Sequence, residues 1–203
     1  KSNLSAGLNA ASKLLLASEP PKAIVLVDAS PWNAGTDPLF NLPDFPVETV
    51  AIGDNGQTET LQKIAAQTGG SYNFAAEPSA LIGIMLEIVE RLGIAQIVAY
   101  GSRKVSNHQP YNLVGRVADG TETATFLVFW GDPEITYGVG SSPRFVTAEL
   151  LDPMQKPAGV TPAWAGDGFA VFSVPQPTIG SWTSTSTYVG PGGCTFTNAI
   201  LVA

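Results

Sequence analysis

The chain has 203 residues, enough for one or two domains, and its 44% hydrophobic and 13% charged composition is that of an ordered globular protein. A net charge of −7 argues against a phosphate backbone as partner, so no nucleic acid is expected. No apolar run approaches the roughly 20 residues of a membrane span, and the single cysteine, Cys194, excludes an intrachain disulfide.

Residues 1–93 read as α/β. In "NLSAGLNAASKLLLAS" the residues Leu4, Leu8, Ala11 and Leu15 share one helical face, with Ser2 or Asn3 as N-cap. "KAIVLVD" is a continuous apolar run, as expected of a strand covered on both faces. "ASPWNAGTDPLFNLPDFP" carries four prolines and reads as an irregular loop. "VETVAIG" is the next strand, Thr58 opens a helix running to about Gln67, and Gly69 suits its left-handed end. "SYNFA" is a short strand. Pro78 sits in the first turn of a last helix whose buried stripe is Leu81, Ile82, Met85, Ile88, Val89 and Leu92.

From residue 94 to 203 the apolar period changes to two. Seven strand-like runs follow: "IAQIVAYG", "YNLVGRVA", "TATFLVFWG", "PRFVTAELLD", "GFAVFSVP", "GSWTSTSTYV" and "TFTNAILVA". Turn residues separate them, which predicts an antiparallel β-sandwich. Trp130, Trp164 and Trp182 sit in or beside these strands. Core packing is their default, and an exposed aromatic strip for carbohydrate or protein is the alternative.

Few residues carry chemistry. His108 is the single histidine, in the turn "SNHQP", and no Ser/His/Asp set or Cys/His metal cluster can be assembled around it. Cys194 follows "GPGG" and reads as a small core-facing residue. "AIGDNG" is not the glycine pattern of a phosphate-binding loop, and Asp54 within it reads as a turn residue. The chain is read as non-enzymatic.

Three pieces, "SNLSAGLNAASKLL", "KAIVLV" and "VETVAIGDNGQTETLQKIAAQTGGSYNFAAEPSAL", resemble, in order, the second half of a von Willebrand factor type A domain. The resemblance covers residues 1 to about 93. It implies the C-terminal half of a doubly wound, Rossmann-like parallel sheet, followed by the sandwich at 94–203. The family's first strand, with its Asp-x-Ser-x-Ser loop, is not in these residues. The missing half is therefore expected as a separate chain, the N-terminal half of the same domain. The rest, from "NLVGRV" through "GSWTSTSTYV", is similar to the β-sandwich after the type A domain in calcium-activated chloride channel regulators and their bacterial relatives.

The family's metal-ion-dependent adhesion site holds Mg²⁺ or Mn²⁺ on hydroxyl and carboxylate oxygens, donors that suit a hard cation; Ca²⁺ is a third candidate. Ser2 falls where the family has a ligating Thr, and it reads equally as a helix cap. Asp28 is the nearest acid to the family's Asp. It stands one residue early and precedes Ala29 where the family has Gly, and one residue flips a strand side chain to the other face.

The resemblance implies a protein-binding or adhesion module of an extracellular or cell-surface protein, with an unknown protein ligand. One alternative is a scaffold or regulatory fragment of a larger self-processing hydrolase with its protease upstream; the H-E-x-x-H motif of such a protease is not in this chain. Another is a structural stalk without metal.

Overall fold

The computed structural model describes residues 3–30, 32–54, 58–140 and 142–203. The chain divides into two compact units, Lys1–Leu92 and Gly93–Ala203. The first is α/β and the second is a β-sandwich whose strand pairs are antiparallel except for one short parallel pair, Thr136–Tyr137 beside Phe145–Val146.

In the first unit, helix α1 (Leu4–Leu15) is capped by Asn3, whose side chain accepts the Ala6 N–H at 3.0 Å. Strands β1 (Ile24–Asp28), β2 (Val47–Ile52) and β3 (Tyr72–Ala75) form a parallel sheet in that order. Helix α2 (Thr58–Thr68) connects β2 to β3, and Gly69 ends it at φ 76°, the left-handed position expected for a glycine. A 3-10 turn, Pro78–Ala80, leads into α3 (Leu81–Arg91).

One face of the sheet is covered by α1 and α2. Leu8, Phe45 and Ile64 pack on Ile24 and Val47, while Leu4 and Leu61 pack on Ala51. The other face meets α3 at Val50, Ala75 and Ile88. The contact stripe of α3 runs through Leu81, Ile84, Met85, Ile88 and Leu92. This corrects the expected set: Ile84 joins it, and Ile82 and Val89 stay half-buried outside it. The observed spacing is the stricter i, i+3, i+4, i+7 series.

A second correction concerns β1. The continuous apolar run predicts burial on both faces, but Val25 and Val27 are 39% and 40% exposed. Their side chains point to the α3 side of the sheet, and α3 reaches only β2 and β3. Among the described residues β1 pairs with β2 alone and is one edge of the sheet, with β3 the other.

Inside β2 the carboxylate of Glu48 is buried. It accepts the Ser71 N–H at 3.0 Å and the Arg91 guanidinium at 2.6 Å, so α3 is tied to the sheet through a charge pair. A buried charge keeps its place only with such partners.

Among the described residues the second unit has nine strands: β4 (Gln96–Ser106), β5 (Pro110–Val117), β6 (Thr123–Phe129), β7 (Thr136–Tyr137), β8 (Phe145–Leu151), β9 (Trp164–Gly166), β10 (Phe169–Pro175), β11 (Gly180–Val189) and β12 (Gly193–Val202). All seven runs seen in the sequence are strands. The two additions, β7 and β9, span two and three residues, too short for alternation to register.

A five-stranded sheet, β4-β12-β6-β10-β9, faces a four-stranded one, β5-β11-β8-β7. Phe126, Phe172, Tyr188 and Phe196 fill the space between them. Trp130 and Trp182 are buried there, and each indole N–H donates to a backbone carbonyl, of Ile135 and of Thr178. Trp164 departs from the core expectation and is exposed. One polar bond spans the core: Asn198 Nδ2 of one sheet donates to Ser186 Oγ of the other at 2.9 Å.

Arg91→Ala should cost the α/β unit about 2 kcal/mol, less than a fully buried pair because Arg91 is itself partly exposed. Adding Glu48→Gln should recover part of that loss. Hydrogen-exchange protection of the β2 amides measures both changes.

Candidate functional site

In open parallel sheets, ligands gather beyond the C-terminal ends of the strands. Asp28 is the last residue of β1 and lies opposite Ala51 of β2, on the face that carries Ile24 and Leu26. Its side chain is 6% exposed. The backbone N–H groups of Ala29 and Ser30 donate to the carboxylate, while among the described residues Oδ2 has no hydrogen-bond partner. Burial pushes the carboxyl above the usual range, and the two backbone bonds offset part of this. A buried acceptor without a donor is costly, which is why desolvation outweighs the two backbone bonds at this carboxyl.

The second metal candidate, Ser2, lies outside the described residues, so the expected Ser2–Asp28 pair is not brought together among them. No group of three or more His, Cys, Asp or Glu gathers among the described residues. A hard cation needs about six oxygens. Asp28 is fit to donate one. Its strand neighbour Ala51 and the following Ala29 carry no side-chain oxygen. Asp54 is exposed in the turn after β2, as a turn residue should be.

The proline-rich loop before β2 is partly tucked in. Phe45 is buried, with the Lys22 ammonium 5.4 Å from its ring centre. Trp32 packs against the cluster of Leu4, Ala51 and Leu61. Phe40 remains exposed. Beside Trp32, residues Thr58, Glu59 and Thr60 at the start of α2 line an open cleft of about 430 Å³. Glu59 is engaged by Lys63 at 2.6 Å, one helical turn on, which leaves it a surface ion pair.

The sandwich holds its titratable groups in structural roles. Arg144 bonds Asp132 at 2.6 Å, Glu134 at 3.3 Å and the Tyr188 hydroxyl at 3.3 Å, and that hydroxyl donates to the Pro191 carbonyl at 2.7 Å. Cys194 is buried, and desolvation pushes its thiol up to about 11. His108 is exposed in a tight turn at φ 59°.

An open edge was legible in the sequence: read as half of a type A domain, residues 1–93 supply strands that would leave open edges and bare apolar faces, and among the described residues β1 is such an edge.

No family model matches the chain, and no curated protein matches it. Among solved structures it is similar to a lipase of Bacillus licheniformis in its propeptide form, at 15% identity over 77% of this chain and 40% of that one, with a TM-score of 0.36. It is also similar to the CspB protease of Clostridium perfringens, at 12% identity over 98% of this chain and 38% of that one, with a TM-score of 0.38. The chain spans about two fifths of the length of each.

A carboxyl with a raised pKa holds its proton more tightly in the fold than in the unfolded chain. Its contribution is complete below the ordinary carboxylate range and declines as pH rises through the raised value. Asp28→Asn should therefore stabilise the α/β unit at neutral pH, and the gain should shrink as pH falls toward about 4. Urea titrations at several pH values measure this. Cys194 should resist thiol reagents at pH 8 in the native protein and react on unfolding, since its thiolate is both buried and disfavoured.

Proposed function

We propose that the chain is a non-catalytic protein-binding module that takes up a polypeptide segment along the open edge of β1. The observation that carries this reading is the edge itself. A parallel sheet is ordinarily covered on both faces, whereas β1 pairs on one side only and presents Val25 and Val27 to solvent. Ile24 N–H donates to Pro46 O, toward β2. Successive residues of a strand turn their backbone groups to opposite sides, so those of Val25 and Val27 face the open side. An added strand would bond them, and an apolar element behind it would cover both valines. In the terms of the type A resemblance, that segment is the N-terminal half of the same domain.

The free oxygen of Asp28 lies at the C-terminal end of the same strand. In this reading it contributes one ligand to a divalent cation such as Mg²⁺, and the incoming segment brings the remaining oxygens. A scaffold in a self-processing hydrolase would use the same edge. The two settings differ in what the segment carries: an Asp-x-Ser-x-Ser loop for adhesion, an H-E-x-x-H motif for the hydrolase.

Intact-mass analysis of the native particle under denaturing conditions should reveal a second polypeptide beside the 21.1 kDa chain. The β1 amides should be protected from exchange in the particle and exposed in the chain alone. Val25→Lys with Val27→Lys should release the second polypeptide, and Asp28→Asn should remove any Mg²⁺ dependence of its retention. A single species with unprotected β1 amides would overturn the reading.

A further inference from the structure

The outer face of the five-stranded sheet carries a second feature, independent of β1. The registers of its four strand pairs align one residue from each strand. Tyr100 lies opposite Ala199, Ala199 opposite Leu127, Leu127 opposite Val171, and Val171 opposite Trp164. Directly opposed residues in antiparallel strands point to the same face. That face is the outer one, because the neighbours Phe126, Val128, Ala170, Phe172 and Ile200 all point into the core. The result is an uncharged row crossing every strand of the sheet, with an aromatic ring at each end.

The two rings are the exposed part. Tyr100 is 48% and Trp164 67% exposed, Leu127 and Val171 are half-buried, and enclosed Ala199 makes a low floor between them. Four interstrand spacings put the ends about 19 Å apart. Beside the row the same face carries hydroxyls: Ser102 and Thr197, bonded to one another at 3.1 Å, lie on one side, and Thr125 and Ser173 on the other. Lys104 is the one charged residue that alternation places on this face of β4.

We infer that this row is a binding strip for a neutral polysaccharide. Sugar rings offer apolar C–H faces that stack on aromatic side chains, with a rim of hydroxyls that exchange hydrogen bonds with Ser and Thr. The strip supplies both chemistries, over a length that suits several sugar units. Its lack of charge, in a protein of net charge −7, selects against an anionic polymer. An indole left two-thirds exposed on an edge strand contributes little to the sandwich core, and exposed aromatic surface of this kind marks a contact site.

Affinity electrophoresis of the whole chain in gels containing amylose, xylan or mixed-linkage β-glucan, with heparin as the anionic control, tests this. Retardation is expected with at least one neutral polymer and not with heparin. Trp164→Ala and Tyr100→Ala should each weaken it by roughly ten-fold, with the circular dichroism of the sandwich unchanged. Migration unaffected by all three neutral polymers would overturn the inference. So would Trp164-dependent self-association in sedimentation, which would make the strip a contact between copies. The β1 reading is untouched by either result, since neither residue belongs to the α/β unit.

Discussion

Every strand carries backbone donors and acceptors on two sides, and a parallel sheet keeps both its edges and its faces dry only if something covers them. The α/β unit meets this condition at β2 and leaves it unmet at β1. β2 is flanked by strands on both sides and sandwiched between α2 and α3, and it holds the most enclosed side chains of the unit. β1 is the more apolar strand and has half the cover. The exposure of Val25 and Val27 and the proposed partner both descend from that difference.

The sandwich solves the same problem by closing two sheets on one core. Its interior is aromatic, with Phe126 against Trp182 at 5.6 Å and Trp130 stacked on Tyr137 at 6.3 Å. The Asn198–Ser186 bond adds a directional tie between the sheets. Aromatic packing alone tolerates sliding by a fraction of a residue. A buried hydrogen bond does not, because a shifted register would leave both groups without a partner.

Much of the fold was legible because period is a local property. The seven sandwich runs could be read from residue spacing, and the helix end at Gly69 from the residue itself. What escaped was set by contacts between distant segments. β7 and β9 are too short to carry a period and exist because a neighbour pairs with them. The Glu48–Arg91 pair joins residues 43 apart. The row from Tyr100 to Trp164 depends on four registers, none of which a single sequence displays. The candidate site was half legible: Asp28 stood out as an acid ending an apolar run, but the run itself gave no sign that one side of it stays open.

The unpaired side of β1 also bears on solubility. The sandwich protects its own borders: β7 and β9 are too short to template a neighbour, β4 carries Arg103 and Lys104, and β5 begins at Pro110 and bears Arg116. β1 has no such guard along its length, since its first four residues are Ile, Val, Leu and Val. The surface that suits it to receive a strand is therefore the surface on which it is most prone to collect the wrong one. An excess of unpartnered chain would risk aggregates seeded along this five-residue edge.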